Sequence, residues 1–252
     1  MPRLPIVQPT RIKVEFCAMT VLLAASSPEG FAIAADGRRV SIKGEYMNDN
    51  AQKIWPAVSP GKFAIAYGWC GNTRLEGDTV CLDFPTVSRF VFSEISKGQS
   101  DAPMTNLLQN FVGGIHRRLR CFLEGIDPAL SSVTLPETIA QVLLAGYIGS
   151  NPIQMIGTFS HRDGKVQSVD LRSYDPVVND FLLLSGSATL FSAFQGPGNT
   201  SLQIATSNAG RYAQDCVDNR DTVSDCASFG GYVHVANVTK DGFSWVIPPI
   251  AL

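Results

Sequence analysis

Met19-Thr20-Val21-Leu22-Leu23-Ala24-Ala25 sets a hydroxyl residue at the head of an apolar run of strand-forming character. The run passes through the turn formers Ser26-Ser27-Pro28-Glu29-Gly30 into a second apolar stretch, Phe31-Ala32-Ile33-Ala34-Ala35, and the two read as a hairpin. With the mature chain starting at Thr20, one residue would supply a hydroxyl nucleophile and, in its free α-amine, the base that activates it. Asp36-Gly37-Arg38 comes after the hairpin, then Ala51-Gln52-Lys53-Ile54, then Tyr67-Gly68-Trp69-Cys70-Gly71.

Residues 1–19 differ in character from the rest of the chain. Met1 to Thr10 is polar and carries prolines, without the apolar core of a signal peptide. Ile12, Val14 and Phe16 then alternate with Lys13 and Glu15, as a half-buried strand does. Two readings stand: a leader, or a mis-assigned start with translation beginning at Met19. Methionine removal before a small residue would then expose Thr20. Residues 20–252 read as one domain.

Beyond the first hairpin, Lys53 to Val58 and Lys62 to Tyr67 form a second strand pair across Ser59-Pro60-Gly61. Two helices are expected next. Pro85 to Ile95 carries Val87, Phe90, Val91 and Ile95 on one face, and Met104 to Phe122 carries Leu107, Phe111, Ile115 and Leu119 at spacings of four. Gly113-Gly114 inside the second helix points to close packing of another helix or a local distortion. A Ser/Pro-rich loop covers 124–138. Strands resume at Ala140 to Ile148, Ile153 to Phe159 and, after a turn at 161–165, Val166 to Leu171. A further helical pattern runs through Leu202, Ala205, Ala209, Tyr212 and Cys216, and Tyr232 to Val238 with Phe243 to Ile247 closes the chain as a hairpin. This order suggests antiparallel sheets faced by helices.

The chain has 252 residues, 45% hydrophobic, with a net charge of −2, which suits a sizeable core and gives no electrostatic reason to expect nucleic acid or an anionic membrane. No apolar run reaches the roughly 18 residues of a membrane span. The expected location is cytoplasmic. Six cysteines without a C-x-x-C pair read as buried free thiols rather than a zinc site or disulfide framework. His116, His161 and His234 lack metal-ligand spacing, and His234, in a strand, reads as a packed or surface residue.

The ordered set from Thr20 to Gly71 resembles the N-terminal nucleophile hydrolases, in particular the β-type proteasome subunits and their bacterial relatives. That resemblance implies an α+β fold, the four-layer αββα sandwich, and carries roles onto matching positions. Asp36 lies sixteen residues after Thr20, as the family's carboxylate does, and Arg38 matches a family arginine. Lys53, ahead of Ile54, matches the catalytic lysine with one inserted residue. Gly68 falls in the family's A-G-x-x-G segment, with Tyr67 in the alanine's place. Ser187, in Ser185-Gly186-Ser187, matches a serine that supports the threonine amine, a flexible turn being the competing reading. Asp225, ahead of Gly230-Gly231, is the nearest match to a late aspartate, with Asp221 the alternative. Val40 replaces a family threonine, and Met19 stands where self-processing leaders have glycine.

Each role has a physical reason. Thr20 would attack a carbonyl while its amine takes the proton. Lys53 would lower the energy of the alkoxide, and Asp36 would orient Lys53 and balance its buried charge. The Gly68 N–H would meet the developing oxyanion. The implied activity is cleavage of peptide or amide bonds through an acyl-enzyme at Thr20, with no cofactor or metal, in a homo-oligomer. Ala51, Ala66 and Cys70 would wall a pocket not lined by charge. The rivals are a catalytically silent assembly or binding protein with its leader retained, and a small-molecule amidase of the same fold.

Overall fold

The computed structural model describes residues 13–17, 20–40, 46–76, 81–98, 106–125, 136–163, 165–194 and 198–250. Its strands are β1 (Lys13–Cys17), β2 (Leu22–Ser27), β3 (Gly30–Ala35), β4 (Arg39–Val40), β5 (Tyr46–Asn48), β6 (Ile54–Ser59), β7 (Phe63–Glu76) and β8 (Cys81–Asp83). Helices α1 (Phe84–Ser96) and α2 (Leu107–Glu124) come next, then β9 (Thr138–Ile148), β10 (Asn151–Arg162), β11 (Lys165–Val166), β12 (Asp170–Ser173) and β13 (Phe181–Ser185). The chain ends with α3 (Ala188–Ala193), α4 (Leu202–Asp218), β14 (His234–Thr239) and β15 (Gly242–Ile247). Met1–Thr10, Met19 and most of the 124–138 loop lie outside the described residues.

Two antiparallel sheets carry the fold. The five-stranded sheet runs β13-β2-β3-β14-β15. The eight-stranded sheet runs β1-β7-β9-β10-β11, with β6 and β8 also on β7 and β12 on β10. β4 and β5 form a small third sheet. Between the two large sheets, Leu22, Ala24 and Ile33 meet Ile54, Ala66, Leu143 and Ala145. On the opposite face of β2, Leu23 and Ala25 pack against Ala205, Ala209 and Tyr212 of α4. β2 is therefore buried on both faces, which is why residues 21–25 are continuously apolar instead of alternating.

The four-layer αββα sandwich expected from the sequence is corrected by this architecture. Strand residues outnumber helical ones, and the fold is a mostly antiparallel two-sheet body. The outer strands β11, β12 and β15 stay half-exposed, so helical cover is partial. The cause lies in the short strands β8, β11 and β12 and the separate β4–β5 pair, which add strand residues without adding a helix.

Helix boundaries reflect local chemistry. Asp83 caps α1 by accepting from the Thr86 N–H at 2.8 Å, with Pro85 in the first turn, and Ser201 caps α4 through the Ile204 N–H. α2 buries Leu107, Phe111, Ile115 and Leu119, the four residues its spacing selected. A Cβ on Gly114 would sit 2.9 Å from Val91 of α1, so close helix packing explains that glycine. The expected face of α1 is wrong at Phe90, which is 53% exposed and lies under the Arg118 guanidinium.

Other local readings are also revised. Val166–Leu171 is two short strands, β11 and β12, rather than one. Cys81 and Cys121 are exposed, while Cys70, Cys216 and Cys226 are buried, and all five are free thiols. From Lys13 the expected alternation does form a strand, and β1 pairs with β7 in the register Lys13↔Glu76 to Cys17↔Gly71. Gly71, at φ 85°, marks where β7 leaves β9 and turns towards β1 and β8. Among the described residues, no helix is long and apolar enough to cross a membrane.

Candidate active site

The β2–β3 hairpin carries the first two residues of the site. Its register, Leu22↔Ala35, puts the residues just before β2 beside those just after β3. Asp36 Oδ1 accepts from the Val21 N–H at 3.0 Å, and the Asp36 N–H donates to the Val21 carbonyl at 3.2 Å. Thr20 and Asp36 are both fully buried.

The third residue arrives from the other sheet. Lys53 immediately precedes β6, whose pairing with β7 sets Ile54 opposite Gly68. Its ammonium donates to Thr20 Oγ1 at 2.9 Å and to Asp36 Oδ1 at 2.8 Å, and the side chain is 3% exposed. A buried ammonium held by a carboxylate at this distance is stable only with the carboxylate's other lone pairs occupied. Asp36 meets that condition, since Oδ2 accepts from the Gly230 N–H at 3.1 Å.

Gly68 comes to the same place for a steric reason as well. A Cβ there would lie 2.6 Å from Leu22 Cδ1 and 3.0 Å from the Lys53 carbonyl. Any side chain at position 68 would push apart the strand before which Thr20 sits and the one that Lys53 enters. Ala51, Ala66 and Cys70, the expected pocket walls, are all buried.

Ser187 and Asp225 form a second group. Ser187 Oγ donates to Asp225 Oδ1 at 2.7 Å and accepts from the Leu190 N–H, so it also caps α3. The Thr189 N–H bonds Asp225 Oδ2, and these donors hold the Asp225 carboxyl below the usual range, the Ser187 hydroxyl contributing most. Asp221 takes no part in this group; it is exposed and pairs with Arg220 at 3.5 Å.

The sequence reading named Arg38 and the Gly230-Gly231 pair but missed the partner they share, Asp49. Arg38 Nε pairs with Asp49 at 2.8 Å, and the guanidinium lies flat against Gly230, where a Cβ would come within 2.5 Å of Arg38 Nε. Gly231, at φ 76°, abuts the Asp49 backbone. The glycine pair thus lets the 229–231 turn seat itself on both the Asp36 turn and the 46–50 segment. The glycines were visible as a pair, but nothing local in the sequence marks Asp49. His234 is fully buried beside the Asp36-Gly37 turn. Among the described residues, no group of three or more potential ligands is arranged to hold a metal ion.

These features define a strand-dominated, two-sheet protein with a buried Thr–Lys–Asp cluster at one end of its hairpin. No protein-family model matches the chain, and no curated protein matches it in sequence. Its fold is similar to solved Anbu structures. The Gly-1 mutant of Anbu from Hyphomicrobium sp. strain MC1 aligns with a TM-score of 0.57 at 12% identity, over 90% of this chain and 85% of that one. Anbu (ancestral beta-subunit) from Yersinia bercovieri gives 0.56 at 12%, over 90% and 87%. A chain from the helical assembly of the Anbu complex of Pseudomonas aeruginosa gives 0.58 at 13%, over 92% and 88%. The resemblance to the N-terminal nucleophile hydrolases and β-type proteasome subunits is corrected accordingly: the likeness is to Anbu, at an identity that establishes fold alone.

Proposed function

We propose that this chain is an Anbu-like, proteasome-related self-assembling hydrolase that cleaves peptide or amide bonds with Thr20 as its amino-terminal residue. The observation that carries the reading is the Lys53 ammonium, 2.9 Å from Thr20 Oγ1 and 2.8 Å from Asp36, with all three side chains buried. A hydroxyl that accepts from a buried ammonium is poised to lose its proton, because the alkoxide gains more from that cation than the alcohol does.

In the proposed reaction the Thr20 α-amine takes the hydroxyl proton as Oγ1 bonds to the substrate carbonyl carbon. Gly68, expected to meet the oxyanion, is paired within the sheet to Ile54 and Leu143, which engages its N–H. The developing negative charge falls instead to the Lys53 ammonium beside Thr20 Oγ1. Collapse breaks the C–N bond, and the leaving amine takes the proton back from the ammonium of Thr20. Water, deprotonated by the same amine, then hydrolyses the ester and restores free Thr20. Ser187 and Asp225 support the amine end of this arrangement. Residues 1–19 are, on this reading, absent from the working chain, which acts as one domain in the cytoplasm. No cofactor enters.

The test is intact-mass analysis after treatment with a β-lactone acylating probe. A chain verified to begin at Thr20 is expected to gain one probe mass as an ester on Thr20, and Thr20→Ala is expected to gain none. No labelling of the Thr20-initiated chain would remove the enzyme reading. The Pseudomonas aeruginosa neighbour is described as a helical assembly. This chain is proposed to self-associate likewise, and analytical ultracentrifugation is expected to show species well above the monomer.

One observation favours a second reading, a silent scaffold with its leader retained. β1 is seated as an added strand on β7, ending at Cys17↔Gly71 and only a few residues from Thr20. Such a strand satisfies the backbone groups of an otherwise open edge. A native chain that keeps residues 1–19 and refuses the probe would support this reading.

A further inference from the structure

His234 is a buried titratable group that the proposed reaction does not use. It opens β14, in register with Ala35, the residue before Asp36. The ring is fully buried, and neither nitrogen closes a hydrogen bond of ordinary geometry. A Cβ on Gly37 would lie 3.1 Å from His234 Nε2, so the imidazole abuts the Asp36-Gly37 turn itself. Through the Gly37 carbonyl, which accepts from the Ala51 N–H at 2.8 Å, that turn is tied to the segment leading to Lys53. His234 therefore sits where the arm carrying Asp36 meets the arm carrying Lys53.

Charged and polar groups reach this junction from each element packed on it. Asp36 ends the β3 arm and Lys53 precedes β6, and both act on the ring electrostatically. Arg38 and Asp49, on the segments flanking the turn, are paired to each other at 2.8 Å. Tyr232, ahead of β14, places its ring centroid 5.9 Å from the imidazole. From beyond β15, Pro248 contributes a backbone group, as Ala51 does from the Lys53 segment.

We infer that His234 is a positioning residue for this site: neutral, it props the Asp36-Gly37 turn against the segment that carries Lys53, and protonated, it competes with Lys53 for Asp36 and disarms the site. The inference rests on the reading given under Proposed function. The physical basis is the scarcity of compensation in a buried site. One carboxylate balances one ammonium there, and a second cation leaves an excess charge in a low dielectric. Burial chiefly, and then Lys53, hold the imidazole below its ordinary value, while Asp36 and the Ala51 and Pro248 backbones oppose that shift. The ring is thus neutral at neutral pH and takes up a proton only on acidification. Because the unfolded chain protonates first, near pH ~6.5, stability falls as pH drops through that value.

The test tracks the three imidazoles by NMR in histidine-labelled full-length protein, with His234→Gln assigning the signal. His234 is expected to titrate below the ordinary value. Lys53→Met is expected to raise its midpoint and Asp36→Asn to lower it, with His116 and His161 unmoved. The opposite signs matter: a general loosening of the fold would raise the midpoint in both variants. Equal midpoints in wild type and both variants, or a rise in both, would overturn the inference. The activity arm compares pH profiles of the same variants, in chains verified to begin at Thr20, with an amide substrate. His234→Gln is expected to shift the acid limb of kcat, leaving KM within about twofold. An unmoved acid limb would overturn the positioning role even if the NMR coupling stands. Absence of hydrolysis in every variant, with coupling intact, would count against the function proposed above and leave the electrostatic link to Asp36 and Lys53 in place.

Discussion

Lys53→Met is expected to slow amide hydrolysis by about 10²–10³ and to lower the stability of the fold together. The side chain is 3% exposed and its ammonium is the shared donor to Thr20 Oγ1 and Asp36 Oδ1. Removing a preorganised charge of this kind costs about 10²–10³ in rate. Removing one partner of a buried pair costs about 3–5 kcal/mol, because the other charge is left uncompensated. Asp36 keeps the Val21 and Gly230 N–H groups as donors, so the loss is expected at the lower end of that range. The double variant Lys53→Met/Asp36→Asn separates the two effects. Taking out both charges while keeping an amide oxygen for a backbone N–H is expected to restore part of the stability without restoring activity. Thermal unfolding and kcat measured on the same preparations check this. Undiminished hydrolysis in Lys53→Met would remove the lysine from the mechanism.

The second large effect concerns the Thr20 nitrogen. A chain that begins at Thr20 is expected to hydrolyse amides, and one carrying a single extra residue before it to do so about 10²–10⁴ more slowly, with the fold unchanged. An amide nitrogen has no basic lone pair, whereas an α-amine titrates near ~8 and takes the proton as the C–O bond forms. General-base catalysis contributes about 10²–10⁴, which is the expected loss. Both chains can be released from a cleavable amino-terminal fusion and compared on a fluorogenic amide, with intact mass verifying each terminus. Equal rates would eliminate the amine as base. The comparison also bears on β1, since a chain that keeps this strand paired along β7 keeps the Thr20 nitrogen in amide form.

Much of this protein is legible in its sequence. The unbroken apolar run at 21–25 marks a strand covered on both sides, as the dual packing of β2 shows. The spacing of four in α2 selects the side chains that α2 buries. The Asp36 turn is a consequence of the hairpin, because sequence-adjacent antiparallel strands return the chain to its starting end. Other features are hidden for reasons that can be stated. α3, only six residues long, offers too few turns for periodicity, so Ser187 reads as a support for the threonine amine or as part of a flexible turn, and its cap on a helix goes unseen. Phe90 lies near a helical boundary between buried and exposed faces, and its exposure depends on where Arg118 of the next helix falls.

The sequence by itself determined the strand-rich character, the principal helices and the short set of residues from Thr20 to Gly68 with chemistry to offer. Periodicity, turn formers and residue type are local properties, and they act through neighbours a few positions away. Tertiary structure alone decided that strands outweigh helical cover, that Asp225 rather than Asp221 bonds Ser187, and that Asp49 clamps Arg38. It also decided that Asp36 accepts from a backbone N–H 194 residues away and that His234 lies buried beside that turn. These contacts depend on which strands become neighbours, and that outcome is set by burying the most apolar surface across the whole chain, a quantity no local window contains.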